Sequence, residues 1–288
     1  MISGKVILGF LTGGRKLIEV VNRNKKLAEL LSSKTSCIYF SCVLENSMKG
    51  QVWVDNLENP SFAVVWNEFQ QGFQLMGKPL RESEYKSLRL FIENDLFHML
   101  RDKNINYFEC GFDSEELTGM LFDIFEERKI DSEQQKIFRL QRIINPEEGS
   151  IKVNSGFDTI AIDESFFKAG YENIEYVTHE IDASWKSRED YLKRGYGYVA
   201  VIDNCIVSRV LVTCCYGSND NIGVDTMDKY RRMGLSSKLV YMTLLEARKR
   251  GRECVWDCME ENVASEKTAL KVGFEQERTY TVCWFNIT

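Results

Sequence analysis

Proline and histidine are the scarce residues of this 288-residue chain, with three of the first and two of the second. With only Pro60, Pro79 and Pro146, little interrupts helix or strand along most of the length. With only His98 and His179, and nine cysteines that show no CxxC spacing, a zinc site has almost nothing to draw on. An odd number of cysteines without paired spacing fits buried, reduced thiols in a cytoplasmic protein. Long apolar runs are also missing: the opening "MISGKVILGFLTGG" holds one lysine and the short run "VILGFL". Neither a signal peptide nor a membrane span is expected from it. Excess positive charge is absent as well, the formal net charge being −6, which excludes a whole-protein field that captures nucleic acid. An acidic surface favours cationic partners such as amines. What is present, 44% apolar and 28% charged residues, is the profile of a globular protein with a sizeable core.

Pro146 sits in "INPEEGS", residues 144–150, a polar turn-forming stretch near the midpoint. This stretch divides the chain into expected domains 1–148 and 149–288. In the second, "REDYLKRG" ends a helix, "YGYVAVID" and "CIVSRVLVTCC" form a hairpin around "DN", and "NIGVDT" is a third strand. Leu235, Leu239, Met242, Leu244 and Ala247 fit one helical face, and "RKRG" closes that helix with basic residues and a glycine. "CVWDCM" is a strand, "VASEKTALKV" a helix ended by Gly273, and "FEQERTYTVCWF" a last strand. A mixed sheet flanked by helices follows.

The first half reads in much the same order. "KLIEVVNRNKKLAELL" is expected as helix, and "SCIYFSCVL", "GQVWVDN", "SFAVVW" and "FQLMG" as strands. "ESEYKSLRLFIENDLFHMLRDK" is a helix, "INYFEC" a strand, and "DSEELTGMLFDIFEER" a helix with Asp113 and Glu116 spaced as a capping box. "QQKIFRLQR" is a further strand. The order suggests a duplicated architecture, although no residue-level repeat supports it.

Three anion-binding patterns bear comparison with this sequence. "GFLTGGRKL" spaces Gly9 and Gly14 as in a phosphate loop, but Arg15 stands where lysine is required, and Lys16 and Leu17 follow where a hydroxyl should hold magnesium. A dinucleotide fingerprint fails because no GxGxxG occurs. The third is Arg231-Arg232-Met233-Gly234-Leu235-Ser236, directly between a strand and a helix. Backbone N–H groups at a helix N-terminus favour an anion, and Gly234 lets the backbone approach closely. Ser236 and Ser237 add small hydroxyl donors in the first turn, and arginine matches a diphosphate.

This loop resembles the R/Q-x-x-G-x-G/A loop of the GNAT N-acetyltransferase superfamily, with serine in the last slot. "WDCMEENVASEKTALKVGF", residues 256–274, is similar to the superfamily's late Asn-x-x-Ala/Ser element at Asn262, Ser265, Lys271, Gly273 and Phe274. The combination looks closest to a bacterial branch of GNAT proteins. The resemblance implies an α+β fold with a mixed, mostly antiparallel sheet flanked by helices; the order of elements suggests a first half of duplicated, degenerate GNAT-like architecture. It implies an acetyl-CoA-dependent N-acetyltransferase acting on a primary amine of a small molecule. The alternative is a catalytically weak acyl-CoA-binding sensor or interaction protein. Acetyl-CoA and the amine are the expected partners, without nucleic acid or membrane; oligomerisation is left open.

Residue by residue, the resemblance implies that the pyrophosphate meets Arg231, Arg232, Met233, Gly234, Leu235, Ser236 and Ser237. The backbone of Val224, Asp225 and Thr226 would hold the pantetheine arm, with a Val224-region N–H on the thioester carbonyl, and "CVWDC" would splay away. The general base falls on Asp220, with His179 and Glu180 as distant alternatives; Asp225, by alternation, points away from the thioester. Ala269 stands where the superfamily often has its acidic tyrosine, leaving Cys258 as a candidate proton donor or a core thiol. Ser265 is a cofactor partner or a first-turn residue, and Asn262 a cofactor contact or an N-cap. In the first half, "MGKPLRESEYKSL" carries Pro79 and no matching loop, so no second CoA is expected there.

Overall fold

The computed structural model of this chain describes residues 4–6, 17–33, 37–145 and 156–288. Gly9, Gly14, Arg15 and Lys16 of the phosphate-loop-like stretch, and most of the expected linker around residue 148, lie outside them. Two compact units emerge: Met1–Gln134 with Tyr280–Thr288, and Gln135–Thr279.

The first unit contains β1 (Gly4–Val6), β2 (Ile18–Val20), α1 (Lys25–Leu31), α2 (Ile38–Leu44), β3 (Gly50–Val54), β4 (Phe62–Asn67) and β5 (Gly72–Gly77). It continues with α3 (Glu82–Phe91), which passes through one wide turn at Ile92–Leu96 into α4 (Phe97–Asp102), then β6 (Tyr107–Phe112) and α5 (Glu115–Ile124). The strand order is β1-β2-β3-β4-β5-β6, antiparallel except for the parallel pair β5/β6. Its core gathers Trp66, Phe73, Phe97, Phe108 and Phe125 with Phe285 from the end of the chain.

Three expectations change here. The stretch expected as one helix over residues 16–31 is strand β2 followed by α1, which Asn24 caps by accepting from the Leu27 N–H. "SCIYFSCVL" is helix α2, not a strand: Tyr39 to Leu44 are all buried, so no polar face marks its period. Ser114, rather than Asp113, caps α5 by accepting from the Leu117 N–H.

From β7 (Asp131–Leu140) the chain enters the second unit: β8 (Asp158–Ala161), α6 (Glu175–Ser184), α7 (Arg188–Arg194), β9 (Gly197–Ile202), β10 (Cys205–Tyr216) and β11 (Asn219–Thr226). Then follow α8 (Leu235–Lys249), β12 (Glu253–Met259), α9 (Val263–Lys271) and β13 (Phe274–Asn286). The order here is β8-β9-β10-β11-β12-β7-β13. β8 to β11 pair antiparallel, β11 with β12 parallel, and β12 with β7 antiparallel.

The units part at 134/135 rather than at residue 148, because β7 from Gln135 to Arg139 ladders onto β12. Residues 280–288 return to the first unit, where Val282 to Asn286 pair with β6. Both units run two helices, an antiparallel three-strand meander, a helix, a strand parallel to the third, and a helix. The mixed, mostly antiparallel α+β fold and the repeated order are as the sequence leads one to expect.

Candidate active site

The parallel pair β11/β12 is short. Asn219, Asp220 and Asn221 face Glu253, Cys254 and Val255, and there the ladder stops, although β11 runs on to Thr226 and β12 to Met259. Beyond the fork β11 stays on β10, with Val210 opposite Val224 and Ser208 opposite Thr226. β12 stays on β7, with Phe138 opposite Trp256 and Lys136 opposite Cys258. A slot opens between them.

Alternation fixes which backbone groups face the slot. The Met227 N–H donates to the Val207 carbonyl at 3.0 Å, and the carbonyls of Asn221 and Asp225 accept from Thr213 Oγ1 and Ser208 Oγ of β10. Odd-numbered backbone groups therefore turn toward β10. Even-numbered ones turn the other way, as the Thr226 carbonyl does in accepting from Arg231 Nε at 3.2 Å. The N–H and C=O of Val224 thus point into the slot.

A 3-10 turn, Asp228–Tyr230, leads from β11 to the loop and α8. Gly234 is the N-cap of α8 at φ +83° and offers no side chain, so the N–H groups of the first turn lack a capping acceptor. No acidic residue lies in that turn. Arg232, also at positive φ (+64°), adds a left-handed residue that only the structure reveals. Leu235 and Ser237 are buried and seat the helix, and Met233 packs against the core. Ser236 Oγ meets Thr226 Oγ1 at 2.9 Å, which meets Ser208 Oγ at 2.6 Å, so a hydroxyl chain ties α8 to β11 and β10. Arg231 and Arg232 are exposed beside this turn, Arg231 pairing with Asp228 at 2.9 Å. Asp225 Oδ1 accepts from the Thr226 N–H at 2.8 Å.

Among its described residues the N-terminal unit offers no equivalent. β5 pairs with β6 from Phe73 to Leu75 and ends at Gly77, so only residues 76–77 extend past the ladder. Helix α3 brings its own anion: the Glu84 carboxylate accepts from the Arg81 N–H at 3.1 Å in a capping box.

Asp220 lies at the paired end of β11, fully buried. Arg252 Nε reaches both its oxygens at 3.0 and 3.1 Å, Arg252 Nη2 also bonds it, and the Tyr196 hydroxyl donates at 2.6 Å. That arrangement is a buried ion pair on the α8 side of the sheet. Cys258 is buried in the core, its thiol pushed up by burial. Asn262 caps α9 by accepting from the Ser265 N–H at 3.1 Å, and Ser265 Oγ accepts from the Trp256 indole at 2.9 Å. Ala269 is fully buried.

The other face of the slot holds carboxylates. On α6, Val177 and Ile181 bury against the sheet and Trp185 donates to the Val212 carbonyl at 3.0 Å, which holds the helix on β10. Tyr176 and Glu180 flank that stripe. Arg209 bridges to Glu180 at 3.0 Å and lies 4.8 Å above the Tyr176 ring. Glu180, distant from the slot in sequence, lies over Gly223: a Cβ there would stand 3.3 Å from Glu180 Oε1 and 2.9 Å from Thr213 Cγ2. His179, its neighbour, is exposed. Asp257, which the sequence reading passed over, sits at the fork, bonded by Asn221 Nδ2 and Gln135 Nε2 at 2.8 Å each. Burial raises its carboxyl above the usual range, the two amides opposing. Its signal in the sequence is a lone charge inside the apolar "CVWDC".

Among the described residues no helix is long and apolar enough to cross a membrane, and no cluster of metal-ligating side chains occurs. The family model for GNAT acetyltransferases matches residues 28–283. No functionally curated protein matches the chain. Among solved structures, a GCN5-related N-acetyltransferase-like protein from Streptococcus suis 89/1591 is 21% identical with a TM-score of 0.65, covering 91% of this chain and 98% of that one. A tandem GNAT protein from the clavulanic acid biosynthesis pathway is 13% identical with a TM-score of 0.59, covering 92% and 94%. A GCN5-related N-acetyltransferase from Kribbella flavida is 11% identical with a TM-score of 0.53, covering 84% and 90%. These likenesses speak to fold. With a family model spanning most of its length, and with the forked strands and repeated order just described, the chain belongs to the GNAT acetyltransferase family.

Proposed function

We propose that this chain is a cytoplasmic N-acetyltransferase that moves an acetyl group from acetyl-CoA to the primary amine of a small molecule. One observation carries the reading: the slot of β11/β12 runs directly into an uncapped helix N-terminus flanked by Arg231 and Arg232. Free N–H groups, a helix dipole and two guanidiniums suit a diphosphate. Leu235 and Ser237 seat the turn from below, while Met233, Gly234 and Ser236 form its rim. The backbone of Val224, with its neighbours Asp225 and Thr226, takes the pantetheine arm.

Within the slot the Val224 N–H donates to the thioester oxygen, where negative charge grows during attack. Glu180, held by Arg209 over Gly223, takes the proton that frees the amine. As the C–N bond forms and the C–S bond breaks, the nitrogen sheds a second proton and the thiolate takes one up. The sum is an ammonium and a thioester converted to an amide, a thiol and a proton. Asp220 and Cys258 serve structure in this reading, since both are enclosed on the side of the sheet that packs on α8 and α9. Asn262 and Ser265 shape the start of α9 beside the cofactor arm.

The experiment is thiol release from acetyl-CoA against a panel of primary amines, with Glu180→Gln beside the wild type. Turnover with one acceptor class, reduced ~100-fold or more in the variant, supports the assignment. Silence with every amine, together with bound acetyl-CoA, would favour a sensor instead; Ala269, in place of an acidic tyrosine, is the feature behind that second reading.

A further inference from the structure

We infer that the acceptor is a small diamine whose far ammonium is held by Asp257 and Gln135 while its near amine reacts beside Glu180. This rests on the acetyltransferase reading and adds the class of acceptor.

Both oxygens of Asp257 are bonded, but only by the neutral amides of Asn221 and Gln135, and no ion pair described for this chain includes it. A shielded carboxylate without a cation is costly unless a partner arrives. Gln135 adds a second unmet demand. Its Nε2 is spent on Asp257, while its Oε1 is buried and accepts from no donor among the described residues. The two residues therefore offer an anion and an empty acceptor side by side. An ammonium, with three donors and no acceptor, satisfies both. A carboxylate or a neutral alkyl end satisfies neither.

The charges of this face point the same way. Asp257, Glu180, Asp225 and Glu277 are its carboxylates; Arg209 is bound to Glu180, and Arg139, opposite Val255 on β7, to Glu277 at 3.2 Å. Asp225 stands opposite Arg209 across β10/β11, so of these four carboxylates Asp257, opposite Ile137, is the one without a basic partner among the described residues. Spacing then sets the size of the acceptor. Asp257 is tied to Asn221 and Glu180 lies over Gly223, two residues along the same face of β11. That offset is about 7 Å along the strand. A diamine with a spacer of about four carbons spans it when extended.

Calorimetric binding to the full chain in the presence of saturating CoA decides the matter, with 1,4-diaminobutane, n-butylamine and 4-aminobutyrate as probes. These three share one amine and differ only in the far end. The diamine is expected to bind at least ten times more tightly than butylamine, and aminobutyrate more weakly than either. In Asp257→Asn the diamine's advantage should fall below twofold, with the melting temperature recorded to show that the variant folds. Equal binding of diamine and butylamine by the wild type, tighter binding of aminobutyrate, or CoA binding without any amine binding would each overturn the inference. CoA affinity, read in the same cells, separates the two levels: its absence removes the acetyltransferase reading itself.

Discussion

Replacing Arg252 by alanine tests whether Asp220 is a structural anion. The carboxylate is wholly inaccessible, whereas the Arg252 side chain is 25% exposed. Removing the guanidinium leaves Asp220 with the Tyr196 hydroxyl as its only other side-chain hydrogen bond described here. It also frees the carbonyls of Gly217 and Asn219, which Arg252 holds at 2.6 and 3.2 Å. Breaking a buried pair from one side costs about 3–5 kcal/mol. For a chain of this size that corresponds to a loss of roughly 10 °C in melting temperature. Asp220→Asn should cost less, about 1–3 kcal/mol, because the amide still accepts from Tyr196. Thermal and urea denaturation of the wild type and both variants give the magnitudes. Thiol release, measured well below each melting point, gives the chemistry. If Asp220→Asn unfolds like the wild type yet loses ~100-fold or more in kcat, Asp220 is the base and the reasoning fails.

Four further outcomes follow from the same geometry. Gly223→Ala places a methyl against Thr213 Cγ2 and Glu180 Oε1, so kcat should fall while acetyl-CoA affinity, read by calorimetry, stays within about threefold. In the native protein a thiol reagent at pH 8 should label Cys205 and Cys215 first, since both are partly exposed, whereas burial pushes Cys254 up to about 12 and Cys283 up to about 11. Asn262→Ala removes the α9 cap and should cost about 1 kcal/mol of stability in urea unfolding. Diamine affinity should fall with pH sooner than an ordinary aspartate would allow. Burial raises Asp257, so the ionised form that holds an ammonium exists only above that raised value and is lost as pH drops through it. The charged groups sharing its face are Glu180 and Asp225 with Arg209, and the Arg139–Glu277 pair. Titration of binding from pH 8 downward measures the midpoint.

The sequence was most legible where local chemistry sets the structure. The turn before α8, the basic end of that helix with Gly251 at φ +66°, and Gly273 at φ +102° closing α9 are all local signals. It was least legible where burial erased the period or where pairing is long-range. Helix α2 is buried on nearly every side, and the partners of β7 and of the end of β13 are set by ladders that no linear pattern encodes. The site divides in the same way. The loop residues are contiguous, so their grouping was readable. Asp220 stands at the expected position on β11, but its face and its partner Arg252 emerge only with the register. Glu180 looked remote because a helix and two strands intervene before Gly223. Gln135 and Asp257 are 122 residues apart, and only the β7/β12 ladder joins them.

Titrating acetyl-CoA into the protein by calorimetry tests the central claim most directly. The forked strands and the uncapped α8 should give one site per chain, because α3 is capped by Glu84 and β5 scarcely parts from β6. In Gly234→Val the site should vanish while the fold persists, since a β-branched residue at φ +83° disrupts the turn that presents the N–H groups. Two equivalents bound per chain, no binding by the wild type, or unchanged binding by the variant would contradict the account.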